Sequence, residues 1–243
     1  MPSNKRHDGR RASELRPVKI TTNFVRTADG SCLIEMGGTR VICTAVFVQG
    51  VPKWRDKSGL GWMTAEYGML PASTKDRKSR PGAKPDGRSV EIQRLVGRTL
   101  RNVLRYERLG ENTIYLDCDV LEADGGTRTA SINGAYVALA IAAARLAKAG
   151  KIAPGAVRGS VAAVSVGVVD GKALLDLNYV EDSSAEVDFN VAMTGGGKYV
   201  EVQGSSERGP FSGAQLQQML RLAGQGIRRI LRLQKQAIEG AKK

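Results

Sequence analysis

Histidine is almost missing from this chain: His7 is the only one in 243 residues. A Ser-His-Asp mechanism or a histidine-built metal centre is therefore set aside. Cysteine is scarce as well. Cys32, Cys43 and Cys118 are odd in number and lie far apart in apolar, strand-like sequence. That pattern argues against a disulfide framework and a zinc site, and reads as reduced core thiols. Aromatic residues make up only 5%, which limits how much base stacking any nucleic-acid surface could use. No uninterrupted run of eighteen apolar residues is present to span a bilayer. The basic first residues lack the apolar core of a signal peptide, so no membrane association is expected and the expected localisation is cytoplasmic. No Gly/Ser linker divides the chain. Catalysis, if there is any, has to use carboxylates, arginines, backbone amides or a bound metal.

What is abundant is positive charge. The formal net charge is +13 and the pI about 9.9, which favours a polyanionic partner such as RNA, DNA or an anionic membrane. The cations are clustered. Lys5, Arg6, Arg10, Arg11 and Arg16 crowd the N-terminus, and Lys75, Arg77, Lys78, Arg80, Lys84 and Arg88 crowd a middle segment. Hydrophobic residues reach 42%, enough to build a sizeable core.

The patterning predicts an α/β protein in which strands alternate with helices. Residues 17–48 alternate like paired strands, broken at Asp29-Gly30 and Gly37-Gly38. Residues 50–87 read as irregular and basic around GWMTAEYGMLP, a kind of loop that is commonly functional. Residues 89–108 have helical apolar spacing and an arginine-rich outer face. A strand over Thr113–Leu121 precedes an alanine-rich helix from Thr127 to Ala149, which should pack closely against a sheet. Four further strand-like segments and an amphipathic helix over Ser212–Ile238 complete the chain. Both halves run strands first and helix last, as two pseudo-repeated β-α units within one domain spanning 1–243.

Three places can carry chemistry. In DCDVLEADGGTRTASINGA, residues 117–135, a strand runs through a diglycine turn into a helix start bearing Thr127, Arg128, Thr129 and Ser131. The helix start offers unpaired N–H groups to a phosphate, and Arg128 adds a planar two-pronged donor. Arg88, in DGRSVEIQRL, would complete a two-arginine clamp for a small oxyanion if the fold brought it to Arg128. In YVEDSSAEVDFNVAM, Asp182 and Asp188 could share a divalent metal, or one could move a proton. Their separation would place both on one face of a continuous strand, although Ser183-Ser184 invites a bend. Glu181, Glu186, Asp117, Asp119 and Asp124 are acidic alternatives. Trp54, Trp62 and Tyr67 could each stack a base or simply pack.

Taken together, GWMTAEYGMLP, DGRSVEIQRLVGR, LDCDVLEADGGTRTASINGAYVALA, VAAVSVGVVDG, YVEDSSAEVDFNVAM and EVQGSSE resemble the ribonuclease PH family of bacterial phosphorolytic exoribonucleases, across essentially the whole chain. The resemblance implies that family's fold and a homo-hexameric ring, a trimer of dimers. It implies phosphate-dependent removal of nucleotides from the 3′ ends of tRNA precursors, with nucleotide addition as the reverse reaction. Phosphate contacts would fall on Arg88, Gly126, Thr127 and Arg128. Asp182 and Asp188 would serve in catalysis and in binding Mg²⁺ or Mn²⁺. RNA would be tracked by Lys75, Arg77, Lys78, Arg80 and Lys84, with the N-terminal arginines as a further candidate surface.

Overall fold

The computed structural model describes residues 6–80 and 86–241. Alternating burial along the first segments builds a five-stranded sheet. Its strands are β1 (Val18–Thr22), β2 (Gly30–Met36), β3 (Thr39–Gln49), β4 (Trp62–Met69) and β5 (Asn112–Glu122), in the order β1-β2-β3-β5-β4. All pairings are antiparallel except β4 with β5, which run parallel with Trp62 opposite Thr113. The segment expected to be irregular thus contains an edge strand. Its partner lies about fifty residues downstream, so no local hairpin signal announces it.

Between β4 and β5 lies helix α1 (Gly87–Arg101). Asp86 caps it by accepting from the Ser89 amide at 2.7 Å. The helix ends at Arg101 rather than at residue 108, because the following chain is captured elsewhere: Leu104 forms a β-bridge with Val157, and the Arg105 amide donates to Ala156 O at 2.8 Å.

The second sheet holds β6 (Val161–Val169), β7 (Lys172–Leu175), β8 (Val187–Thr194) and β9 (Tyr199–Ser206), all antiparallel, in the order β7-β6-β8-β9. A short helix, α3 (Tyr179–Ser184), separates β7 from β8, and α4 (Gly213–Gly240) closes the chain.

Helix α2 (Thr127–Lys148) lies between the sheets, packing on β2 and β3 on one side and on β6 and α4 on the other. Its small residues permit close approach. A Cβ on Gly30 of β2 would sit 2.2 Å from Ala138 O, so glycine is required where the helix crosses the strand. By length and composition α2 could cross a membrane, but 78% of its apolar window is buried here, as befits a central core helix. Ile34, Met36, Met63, Leu116, Ile132 and Leu139 are among the fully buried side chains around it. Cys32, Cys43 and Cys118 are free and buried in the same core, as expected.

Candidate active site

The chain leaves β5 and turns into α2 through Gly125 and Gly126, with φ of +74° and +66°. Such values are costly for residues with a Cβ. A side chain at Gly125 would also collide with the Leu177–Tyr179 backbone, meeting Asn178 C at 2.7 Å and Leu177 O at 2.8 Å. Gly126 caps α2 without a side chain. The first amides of the helix are consequently left open at the positive end of its dipole, an arrangement suited to an anion. Thr39 fixes this loop: its Oγ1 donates to Gly125 O at 2.7 Å and accepts from the Asp124 amide at 2.9 Å. Tyr67 steadies the helix start from the β4 side, its hydroxyl lying 2.9 Å from Thr127 Oγ1.

Arg88 and Arg128 meet at this point, the pairing that sequence alone could not establish. They line a cavity of about 60 Å³ with Gly126, Thr127, Ser165, Asp182, Asp188 and Asn190. The space is that of a few water molecules and is lined by two guanidinium groups, which suits a small oxyanion. Glu91, one helical turn beyond Arg88, accepts from Arg128 Nη1 at 3.4 Å and from Gln203 at 3.1 Å, giving the guanidinium a partner on one side.

The carboxylates come from different elements. Asp188 is on β8, whereas Asp182 is on α3 and not on a strand. Asn178 and Glu181 form a capping box, the Asn178 side chain accepting from the Glu181 amide at 3.1 Å, and this starts a short helix that ends at Ser184, where the sequence invited a bend. The two aspartates converge because helix and strand fold onto one cavity, not through strand periodicity. Burial raises the pKa of Asp182. Asp188 is pushed up to about 6, first by burial and then by Asp182, while Arg128 and Arg88 pull the other way. Asp188 Oδ1 is buried without a hydrogen-bond partner.

Four of the other five acidic candidates are engaged elsewhere, and the fifth, Asp119, is not among the residues that line the cavity. Glu181 is 4% exposed and pairs with Arg6. Asp124 accepts from the Tyr179 amide, Glu186 from the Gly171 amide and Asp117 from Thr44. Ser165 and Asn190 were not anticipated. They sit directly opposite each other in the β6–β8 register, and Asn190 lies two residues beyond Asp188 on the same face. The available signal was the polar alternation Asp-Phe-Asn within an otherwise apolar strand.

Family models match both halves of the chain: 3′ exoribonuclease family, domain 1, over residues 14–144, and domain 2 over residues 159–226. The chain belongs to the 3′ exoribonuclease family. Among solved structures it is similar to a chain of the Archaeoglobus fulgidus exosome with RNA bound to the active site, with a TM-score of 0.82 and 23% identity, covering 94% of this chain and 92% of that one. It is also similar to rice (Oryza sativa) Rrp46, with a TM-score of 0.78 and 18% identity, covering 96% and 100%. These likenesses support the fold, two sheets packed with helices. In this family member the cavity falls at the junction of the two domains. Domain 1 supplies Arg88 and the helix start, and domain 2 supplies both aspartates, Ser165 and Asn190.

One expectation needs correction, and two open readings are settled. Arg6, Arg10 and Arg16 do not form an open RNA surface, being only 9%, 8% and 4% exposed. They neutralise buried Glu181 and Asp176, whose charge would otherwise be costly away from water. Tyr67 is 6% exposed and cannot stack a base. The arginine face of α1 is partly engaged within the chain: Arg98 pairs with Glu201 at 2.5 Å, and Arg101 lies over the Trp62 ring at 5.0 Å. Trp62 is itself stacked on Tyr106, leaving Trp54, 66% exposed, as the open aromatic of the three candidates. Lys75, Arg77, Lys78 and Arg80 are all exposed, whereas Lys5 and Lys84 lie outside the described residues.

A larger open groove of about 900 Å³ runs along α4 beside Arg228, Arg232 and Lys235. It has neither an open helix start nor a pair of carboxylates, so its size alone gives it no chemistry.

Proposed function

We propose that this protein is a phosphorolytic 3′-to-5′ exoribonuclease of the ribonuclease PH type. The observation that carries the proposal is the meeting, in one oxyanion-sized cavity, of two arginines and an open helix start with two half-buried aspartates. Phosphorolysis brings together two groups of like charge, inorganic phosphate and the terminal phosphodiester. Arg88, Arg128 and the first amides of α2 offset that repulsion and hold the attacking oxygen in line. A phosphate oxygen forms a bond to the phosphorus of the last nucleotide, and the P–O3′ bond to the preceding nucleotide breaks. The shortened RNA keeps a 3′-hydroxyl, which takes up the proton, and a nucleoside diphosphate leaves. Reversal adds a nucleotide from a diphosphate.

The carboxylates suit a hard divalent cation. Asp188 Oδ1 has no other partner, and Asp182 approaches closely enough to raise its pKa. One or two carboxylates are the protein ligands that Mg²⁺ or Mn²⁺ commonly takes at phosphate sites. When bound, the metal would neutralise charge developing on the transferred phosphoryl group. Asp182 and Asp188 would hold it, and Ser165 and Asn190 would be left as neutral polar groups of the same cavity.

The single-stranded 3′ end would be tracked through its backbone by Lys75, Arg77, Lys78 and Arg80. The whole-chain resemblance to ribonuclease PH supports tRNA precursors as substrates, the cytoplasm as the working compartment and a homo-hexameric ring. The deciding experiment mixes purified protein with a 3′-extended tRNA and Mg²⁺, with and without inorganic phosphate. Phosphate-dependent release of nucleoside diphosphates is the expected result. Monophosphates formed without phosphate would mean hydrolysis, and tight RNA binding with no product would mean a ring subunit without activity.

A further inference from the structure

Arg16 does not line the cavity, yet its guanidinium touches both halves of the site. It is 4% exposed. On the domain 2 side it grips Asp176 with two prongs, Nη2 to Oδ1 at 2.7 Å and Nε to Oδ2 at 3.1 Å. Its own backbone amide donates to the same carboxylate at 2.8 Å. Asp176 has no exposed surface, and it lies two residues before Asn178, the cap of the helix that carries Asp182. On the domain 1 side Arg16 donates to Asp124 O and, at 3.4 Å, to Gly125 O. A Cβ on Gly126 would come within 3.0 Å of Arg16 Nη2, so the diglycine loop rests against the guanidinium.

We infer that Arg16 is a positioning residue that sets the spacing between the open helix start of α2 and the paired aspartates, and keeps the loop carbonyls turned away from the anion. The electrostatic reason is direct. Carbonyl oxygens of Asp124 and Gly125 facing the cavity would repel phosphate at a point where N–H groups should converge. A planar, permanently charged fork can bind a carboxylate on one edge and two carbonyls on the other; an ammonium cannot. Arg6 and Arg10 belong to the same buried network, and Arg10 also reaches the Asp176 carboxylate at 3.7 Å, but their other contacts are Glu181, Asp8 and carbonyls of Glu14, Leu175 and Asp176, and neither contacts the loop. Their substitution supplies the control.

The inference rests on the phosphate-binding reading of the cavity, and the test separates the two. Arg16→Lys keeps the charge and loses the fork. Thr39→Val removes the other grip on the same loop in a milder way. Arg10→Lys perturbs the ion-pair network alone. For each variant, melting temperature, direct phosphate affinity by calorimetry, RNA affinity, and kcat and KM for phosphate are measured. Arg16→Lys should raise both the phosphate Kd and KM by about tenfold and lower kcat by about tenfold or more, as expected for sub-ångström misplacement. Thr39→Val should move the phosphate constants in the same direction, with RNA affinity within about twofold of wild type for both variants. Arg10→Lys should lower the melting temperature and leave the phosphate constants within about twofold. Equal phosphate defects in Arg10→Lys and Arg16→Lys, or unchanged constants in Arg16→Lys, would overturn the inference. Wild-type protein that does not bind phosphate would overturn the reading of the cavity and the inference with it. Phosphate binding without phosphorolysis would overturn only the reaction, and the affinity comparison would still judge Arg16.

Discussion

Replacing Asp188 by asparagine should abolish turnover and, without metal, make the protein more stable. The carboxyl is pushed up to about 6 from an ordinary 3.8, by burial first and by Asp182 second. About two pKa units correspond to roughly 3 kcal/mol, and partial access to water reduces the expected effect to about 2 kcal/mol. The sign follows from proton linkage. Between pH 3.8 and about 6 the folded state holds the proton more tightly than the unfolded chain does, so stability falls as pH rises through that window. Above it both states are ionised and the destabilisation is complete. Asparagine has nearly the same shape and no charge, so it should escape that destabilisation. At pH 7.5 in a chelator the variant should melt about 4–8 °C above wild type, given ~2–4 °C per kcal/mol for a chain of this size. The gain should shrink steadily as the pH falls through 5 towards 4. Adding millimolar Mg²⁺ should raise the melting temperature of wild type and leave the variant unmoved. Scans at fixed protein concentration keep any assembly equilibrium constant. A variant less stable than wild type at pH 7.5, or a difference that does not change with pH, would refute the assignment of Asp188 as a buried, electrostatically frustrated carboxylate.

Arg128→Ala should raise KM for phosphate by about 30–100-fold, the loss of a charged hydrogen bond worth ~2–3 kcal/mol; a parallel loss of RNA affinity would contradict its assignment to phosphate. Asp176→Ala leaves Arg16 and Arg10 facing a buried void and should cost about 3–5 kcal/mol in urea unfolding, while a cost below about 1 kcal/mol would show that the network is wetter than its burial implies. Neutralising Lys75, Arg77, Lys78 and Arg80 together should reduce the slope of log affinity for single-stranded RNA against log salt by about 3, at ~0.7 per phosphate contact. An unchanged slope would move the RNA path away from this loop.

The parts of the site that could be read from sequence are those whose chemistry is local. Gly125-Gly126-Thr127-Arg128 encodes turn, helix start and cation within four residues, and the structure has all three. Arg88 and Asp188 were legible as residue types, but their meeting depends on α1 and β8 reaching one cavity from opposite domains. Asp182 shows the limit more sharply. Its spacing from Asp188 left open whether one strand carries both or a bend at Ser183-Ser184 parts them, and a four-residue capping box puts it on a helix, because Asn178 and Glu181 satisfy each other's backbone amides. Strand β4 stayed hidden for the converse reason: its only partner is parallel and distant.

Charge was the least legible quantity. Arg6, Arg10 and Arg16 look in the sequence like the loop cations at Lys75–Arg80, a basic cluster awaiting a polyanion. Their difference lies in Asp176 and Glu181, about 160–175 residues away, which draw the first group inside. The pairing carries a consequence for function. Cations committed to buried carboxylates release no counterions when RNA binds, so the net charge of +13 overstates the binding surface. Arg11, its side chain 85% exposed, is the N-terminal exception among the described residues. Steering of RNA therefore falls to the exposed loop cations, while Arg16, alone among the buried N-terminal arginines, touches both the helix-start loop and the segment that leads to Asp182.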